Sequence, residues 1–280
     1  MAEVTDPMET ERIAEFSEAR AYASLVRGAG LDGFATAEID GAVLLLAPAV
    51  PGVLILNRVL GWGLMQDASE ESLDRIAAPY AAAALGFGIE LAPAAAAPDC
   101  LVALKSRQIR KVSSSQVLLR DCAPPPPRYE SWARTTGLRV ESVGPEWAGE
   151  LARLCCENFS LRPEVAPLLQ RGACGVGWRR WLAFDGEQPV GGSLSYVEDG
   201  IAWLGWTSVL PSHRGRWVHA GIVARQLDDT AAAGCRWVST ETARSTPERP
   251  DAAYYNLRKF GFQDAYLRPT YVKGPPRAGS

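Results

Sequence analysis

The stretch 201–233 constrains the fold more tightly than any other part of the sequence. A hydrophobic run ends at Pro211, a basic turn, Arg214-Gly215-Arg216, follows, and an amphipathic stretch begins at Val218. Strand, cationic turn and helix in that order predict an anion-binding site, because the free backbone N–H groups and the positive end of the helix point at the turn. Many folds use such a turn, so this segment does not by itself identify a reaction.

The second half of the chain alternates between strand-like and helix-like patterns. Hydrophobic runs bounded by Gly, Pro and Asp predict strands at 138–143, 178–184, 190–197, 201–210, 236–241 and 263–273. Helical spacing predicts helices at 145–159, 163–171, 218–233 and 254–260. Antiparallel strands therefore precede a β-α-β-α-β tail, and the predicted fold class is mixed α/β.

Four consecutive prolines, Pro124 to Pro127, separate the two halves of the chain. Prolines fix φ and donate no N–H, so they favour an extended linker. We predict an N-terminal domain at 1–122, a Pro-rich linker at 123–136 and a C-terminal domain at 137–280.

The first half follows a vaguer version of the same order. Its patterns predict helices at 9–27 and 70–84, and strands at 34–39, 43–46, 53–56, 87–91 and 117–120. The segment 58–63 takes the position of the basic turn but lacks its pair of arginines. We interpret the first half as a degenerate duplicate, although identity between the halves is too low to establish a repeat.

Bulk composition narrows the class of protein. The 280 residues are 47% hydrophobic and carry a formal net charge of −3, which disfavours a dedicated nucleic-acid binder. No apolar run is long enough for a membrane span, and the N-terminus lacks the pattern of a secretory signal. The six cysteines form no C-x-x-C pair and there are two histidines, so we expect reduced thiols and no metal site. A cytoplasmic protein is expected.

Residues 137–273 resemble the GNAT (Gcn5-related N-acetyltransferase) superfamily. The resemblance rests on Val209-x-Pro211, on Arg214-Gly215-Arg216 after it, and on Phe260-Gly261-Phe262 at the end of the last helix. It implies a tandem GNAT-like fold, with a central mixed β-sheet flanked by helices in each half. In the family, the amides of the turn hold the pyrophosphate of acyl-coenzyme A, and the splayed end of the preceding strand binds the pantetheine arm.

Two positions of the turn depart from the family pattern R/Q-x-x-G-x-G/A. Arg214 matches its first residue, but Trp217 replaces the glycine and His219 the final small residue. An indole in that position would occupy the space of the phosphate. The donor would then be an acyl group on the phosphopantetheine of a carrier protein. Alternatively, Trp217 turns outward and free acyl-CoA binds.

On either alternative, the resemblance implies one set of donor-binding residues. They cover the strand end, the turn and the start of the helix: Ser208, Val209, Leu210, Arg214, Gly215, Arg216, Trp217 and Val218.

Three residues are candidates for proton transfer. Glu241 stands at the C-terminal end of a strand, where ligands of open α/β sheets gather, and is our first choice as general base. A capping or salt-bridging glutamate is the alternative interpretation. His219 ranks second because it begins the helix beside the expected thioester. The family's usual tyrosine is replaced by Leu257, and Tyr254, on the same helix face, is the substitute for protonating the leaving thiolate.

The acceptor site is predicted from Trp206, Thr240 and Asn256. Strand alternation places Trp203 and Trp206 on opposite faces, so only one of them should line a pocket. We interpret the chain as an N-acyltransferase that moves an acyl group directly from a pantetheine thioester to an amine of a small metabolite. Its expected partners are an acyl carrier protein and that amine, with no nucleic acid or membrane. The alternatives are an ordinary acyl-CoA-dependent GNAT enzyme and a catalytically silent binding or sensor protein.

Overall fold

The computed structural model describes residues 6–123 and 129–275. The α-helices in this part of the chain are Pro7–Ala29 (α1), Glu70–Ala82 (α2), Pro98–Ser106 (α3), Tyr129–Thr136 (α4), Ala148–Phe159 (α5), Ala166–Gly172 (α6), Val218–Ala232 (α7) and Ala252–Lys259 (α8). The strands are Ala35–Ile39 (β1), Ala42–Leu46 (β2), Arg58–Leu60 (β3), Phe87–Glu90 (β4), Arg110–Asp121 (β5), Arg139–Val143 (β6), Trp178–Asp185 (β7), Gln188–Glu198 (β8), Ile201–Val209 (β9), Trp237–Ala243 (β10) and Gln263–Lys273 (β11). None of the helices described has the length and apolar character needed to cross a membrane.

The described strands form one mixed sheet of 11 strands in the order β1-β2-β3-β4-β11-β5-β10-β9-β8-β7-β6. The two halves exchange their last strands. Strand β5, from the first half, pairs antiparallel with β10 and β11, and β11, from the second half, pairs with β4. The predicted mixed α/β class is confirmed, and the sheet is continuous across both halves.

The two halves repeat one order of elements. In the first half, β3 and β4 are parallel and are connected through α2, just as β9 and β10 are parallel and connected through α7. In the first half the space after β3 is filled, because Trp62 is fully buried and its indole N–H donates to Ser72 Oγ at 3.0 Å. This arrangement agrees with the interpretation of the first half as a degenerate duplicate, with core packing in the segment that follows β3.

Several local predictions for the first half were wrong. The segment predicted as a strand at 53–56 contains a 3-10 turn at Leu54–Leu56, and the strand follows at β3. Asn57 imposes this turn, since its side chain accepts from the Ala47 amide at 2.9 Å and donates to the Val50 and Val53 carbonyls. Helix α3 was not predicted at all, and β5 begins seven residues before the predicted strand.

The predicted linker, 123–136, contains helix α4, and its prolines lie outside the described residues. The domain boundaries stay predictions. In space, however, the end of the first half lies within the sheet of the second, because β5 is located between β10 and β11.

Helix α1 lies across the junction of the two halves. It contacts β3 and β11 as well as β9 and β10. The Ser17 and Ser239 hydroxyls are 2.6 Å apart, and Tyr22 packs edge-on against Trp203. The same face of the helix also carries carboxylates, which belong to a group of charged side chains that we call the junction cluster: Glu15, Glu18, Arg58, Glu90, Glu241 and Arg268.

The junction cluster is held together by short ion pairs. Arg268 is fully buried, and its Nη1 lies 2.8 Å from Glu18 and 3.0 Å from Glu15. Arg58 Nη2 lies 2.6 Å from the other oxygen of Glu18. Burial by itself raises the pKa of Glu18, but the two guanidinium groups lower it to about 2. The cluster thus joins α1, β3, β4, β10 and β11 through charges removed from water.

We expect Arg268→Met to destabilise the protein by about 3–5 kcal/mol, because it leaves three buried carboxylates and the partly exposed Glu241 with one guanidinium group. The free energy of unfolding in urea measures the effect. The matched control is Arg258→Met, since Arg258 forms an exposed pair with Asp264 at 3.5 Å and should contribute less than about 1 kcal/mol. Equal losses in the two variants would contradict a structural role for the junction cluster.

Candidate active site

The strands β9 and β10 separate from each other and open a cleft. Their parallel register covers Ile201–Trp203 against Trp237–Ser239, after which both strands continue apart. At the point of separation, the Thr240 hydroxyl donates to the Leu204 carbonyl at 2.9 Å. Backbone groups of the diverging strand edges are therefore available to a ligand, as expected for a bound thioester arm.

A cavity of about 620 Å³ lies at this cleft, and both halves of the chain contribute to it. The second half supplies His219, Thr240 and Glu241, while the first half supplies Arg58 and Glu90. The reaction centre was expected in the C-terminal half. The cavity lies instead at the junction of the two halves, because the exchange of β5 and β11 brings β3 and β4 close to the end of β10.

Trp203 and Trp206 both line the cavity, which corrects the prediction that they point to opposite faces. The register between β8 and β9 shifts at Gly192 and Leu194, and Trp206 has a left-handed φ of 58°. This β-bulge inserts one extra residue and reverses the alternation. Both indoles consequently pack on Tyr22, at ring distances of 5.3 and 5.8 Å.

Glu241 lines the cavity and belongs to the junction cluster at the same time. Its side chain is 24% exposed, Arg268 Nη2 donates to its Oε2, and Arg58 Nη1 lies 3.8 Å from its Oε1. Burial, reinforced by the neighbouring Glu18 carboxylate, raises the pKa of Glu241 to about 7 despite the two arginines. The glutamate is salt-bridged, as the alternative interpretation held, and it also has the pKa of a base that works near neutrality.

His219 lines the cavity from the first turn of α7. Burial lowers its pKa to about 4, with the Asp251 carboxylate opposing the shift, so the imidazole is neutral at physiological pH. The Asn256 side chain lies 3.5 Å from His219 Nδ1 and outside the cavity lining. Tyr254 also lies outside it, because its hydroxyl donates to Asp264 at 3.1 Å. The structure therefore brings His219 to the cavity, but not Asn256 or Tyr254.

The basic turn holds its two arginines differently. Arg216 lies 3.0 Å from Asp185, a carboxylate that also contacts His213 at 3.2 Å. Arg214 instead donates to the amide oxygen of Asn158 at 3.0 Å, and none of the ion pairs seen in residues 6–123 and 129–275 involves it. Of the two arginines, Arg214 is thus the more readily available to a phosphate.

The strand end before this turn is paired on one edge with β8. Val209 pairs with Gly191, and the Leu210 amide donates to the Val190 carbonyl at 2.9 Å. Ser208 is buried, and its hydroxyl donates to the Trp206 carbonyl. The other edge of β9 faces the cleft, where the resemblance places the pantetheine arm.

Trp217 immediately precedes the first turn of α7 and has a left-handed backbone conformation, with a φ of 65°. Gly215, two residues earlier, is also left-handed, with a φ of 77°. The Trp217 indole is 55% exposed and lies outside the cavity lining, with Lys259 Nζ 5.2 Å from the ring centre. Val218 is buried. The first-turn amides of α7 have no partner within the helix, which is the arrangement that favours an anion. The indole therefore bridges the start of α7 and the end of α8 without entering the cleft.

The contribution of the first half was missed by sequence reasoning. Arg58 and Glu90 appear as isolated charges in short apolar runs, and nothing local indicates that they meet Glu241. One signal was present: Glu15 and Glu18 lie among the alanines of α1 at helical spacing with Glu11, on the face that is buried. Carboxylates on an apolar helix face predict buried partners of opposite charge.

No family model matches the chain, and no curated protein matches it. Solved structures do. A GCN5-related N-acetyltransferase from Kribbella flavida matches with a TM-score of 0.58 at 16% identity, over 93% of this chain and 96% of that one. Another from Sphaerobacter thermophilus matches with a TM-score of 0.58 at 14% identity, over 95% and 94%. A tandem GNAT protein from the clavulanic acid biosynthesis pathway matches with a TM-score of 0.55 at 16% identity, over 85% and 79%. These likenesses extend over both halves of the chain.

Proposed function

We propose, from the premise that this chain has the tandem GNAT fold, that it is an acyltransferase. It would move an acyl group directly from a pantetheine thioester to an amine of a small metabolite. The observation that carries the proposal is Glu241, a carboxylate with a pKa of about 7 on the wall of the cavity beside the separated strands. The similarity to a tandem GNAT protein of a biosynthesis pathway supports a small-molecule acceptor.

The proposed chemistry follows from the arrangement of the cavity. Glu241 takes a proton from the acceptor's ammonium group, and the free amine attacks the thioester carbonyl. The new C–N bond forms, the attacking nitrogen loses its second proton to solvent, the C–S bond breaks, and the thiolate leaves. Backbone N–H groups on the open edge of β9 would polarise the carbonyl and stabilise the oxyanion.

The departing thiolate has no tyrosine acid at Tyr254 in this arrangement, because that hydroxyl is bound to Asp264. His219 is neutral and lines the cavity, so it can donate a hydrogen bond to the sulfur, but its pKa is too low for it to act as a general acid near pH 7. We propose that the thiolate takes its proton from solvent, or from the proton that Glu241 has gained.

We expect Glu241→Gln to lower kcat by roughly 10²- to 10⁴-fold, the usual contribution of a general base. In the unsubstituted protein, kcat/KM should rise with pH through about 7, because the active carboxylate forms as the proton leaves Glu241. The groups around it are Glu18, Glu90, Arg58 and Arg268, and its pKa is raised by burial first and by Glu18 second. Initial rates of thiol release from pH 5.5 to 9 measure both effects.

Glu187→Gln is the matched control, since Glu187 is an exposed glutamate on the β7–β8 turn. Activity that survives in Glu241→Gln with an unchanged pH profile would contradict the base assignment. A protein that binds the amine and the thioester, but shows no transfer with any carrier or cofactor, would be a silent sensor instead.

Two donors remain candidates, and one observation favours each. The Trp217–Lys259 contact bridges α7 and α8 at the approach to the anion site, which favours a carrier-bound phosphopantetheine that needs no room for a nucleotide. The high exposure of the indole, and its position outside the cavity, favour free acyl-CoA. We propose the carrier-bound donor, and acyl-CoA is the second candidate.

Under the carrier proposal, Trp217→Gly should lower KM for acyl-CoA by about tenfold, which corresponds to roughly 1.4 kcal/mol of relieved obstruction. Acyl-phosphopantetheine, which has no nucleotide, is the matched control substrate and should keep its KM. Steady-state rates with the two donors give the comparison. If the unsubstituted protein already uses acyl-CoA as well as an acyl carrier protein, and the variant shows no gain, the carrier proposal fails and the second candidate stands.

A further inference from the structure

The wall of the cavity carries more negative than positive charge. Among the described residues that line it, Glu90, Glu241 and Asp251 bear carboxylates and Arg58 bears the one guanidinium group. Asp251 is occupied as the N-cap of α8, where its Oδ1 accepts from the Ala253 amide at 2.7 Å. The two glutamates are the carboxylates that face the space beside the separated strands.

The guanidinium groups of the cluster are bound mainly through their terminal nitrogens, while the Nε of each is buried without a hydrogen-bond partner in the described part of the chain. Arg58 is 2% exposed, its Nη2 lies 2.6 Å from Glu18, and its Cζ lies 4.5 Å from the centre of the Tyr22 ring. Arg268 is 0% exposed and is bound by Glu15, Glu18 and Glu241. Arg58 Nη1 lies 3.5 Å from Glu90 and 3.8 Å from Glu241, so a ligand carboxylate that approached it would lie beside both glutamates and be repelled by them. Arg268 can be reached only by breaking a buried ion pair, which is strongly unfavourable.

The glutamates, in contrast, keep acceptor capacity. Glu90 Oε2 accepts from the Thr270 hydroxyl at 3.0 Å and lies 3.5 Å from Arg268 Nε, and Glu90 Oε1 lies 3.5 Å from Arg58 Nη1. Glu241 approaches the same nitrogen at 3.8 Å. A carboxylate offers about four lone-pair sites, so both groups can accept further hydrogen bonds. Because they approach one arginine nitrogen, they are close enough for one short molecule to reach both.

An aromatic wall stands beside these carboxylates. Tyr22, Trp203, Trp206 and Phe159 line the cavity. The Phe159 and Trp206 rings are 5.7 Å apart in an edge-to-face arrangement. Aromatic rings next to carboxylates favour organic cations with an aliphatic body, because the rings contact the methylene groups and attract positive charge. The same surroundings disfavour an anion, which would lose water and gain no partner.

We propose that the acceptor is a short aliphatic diamine, whose reacting nitrogen lies at Glu241 and whose second, protonated nitrogen is held by Glu90. This inference rests on the proposed function for the role of Glu241, and it adds the class of the acceptor. An α- or ω-amino acid, in which a carboxylate replaces the second ammonium group, is disfavoured because that carboxylate would lie beside Glu90. Glu90 is thus a specificity-determining residue contributed by the first half.

Binding of three matched amines to the full chain tests the proposal without any thioester. They are 1,4-diaminobutane, butylamine and 4-aminobutanoate, which share one amine and a four-carbon body and differ at the far end. Quenching of the fluorescence of the cavity tryptophans reports binding, with calorimetry as the second measurement. We expect the diamine to bind about tenfold to hundredfold more tightly than butylamine, because it gains one charged hydrogen-bonded contact, and 4-aminobutanoate to bind most weakly.

Glu90→Gln should remove most of the diamine's advantage and leave butylamine binding within about twofold, while Glu187→Gln changes neither. Equal binding of the three amines, or tighter binding of 4-aminobutanoate, would overturn the proposal. This comparison uses only the unsubstituted protein, so it does not depend on whether a variant folds. If the diamine binds selectively but no acyl donor supports transfer, the proposed function fails and the cation site stands. If transfer occurs but prefers 4-aminobutanoate, the acceptor class alone is wrong.

Discussion

The rest of the structure depends on the ion pairs that Arg268 forms. This arginine lies on the last strand, fully buried, and binds Glu15 and Glu18 of α1 together with Glu241 of β10. Such a buried cation is tolerated because carboxylates surround it. It can occupy this position because the halves exchange strands, which places β11 beside β4 and β5. The ion pairs therefore fix α1 and both halves of the sheet in one arrangement.

The same charged groups surround Glu241, the base of the proposed acyl transfer. Burial first, and the neighbouring Glu18 carboxylate second, raise the pKa of Glu241 to about 7, although Arg268 and Arg58 lower it. In the first half, Trp62 is packed into the core in the segment that follows β3. The first half nevertheless contributes Arg58 and Glu90 to the cavity. It thus forms one wall of the cavity that the second half opens.

The features that could be predicted from the sequence are those set by residues close together along the chain. The strand, turn and helix around 201–233 and the candidate at Glu241 follow from local pattern, and the GNAT resemblance gave the fold. The exchange of β5 and β11 was not predictable, because pairing between distant segments leaves no local signature. The bulge at Trp206 was missed for a related reason: alternation assumes a regular strand, and one inserted residue reverses every later assignment. Arg58 and Glu90 became visible only through that long-range pairing.

The junction cluster, as we propose, makes Glu241 a base that works near neutrality, so its carboxyl group should titrate near pH 7. A carbon-13 titration of the glutamate carboxyl groups, with the Glu241 signal assigned by its loss in Glu241→Gln, measures this directly. The account predicts a midpoint at about pH 7 for that signal. A midpoint at the ordinary value of 4.5 would contradict it, because Glu241 would then be a fully ionised salt-bridge partner with little capacity to accept a proton.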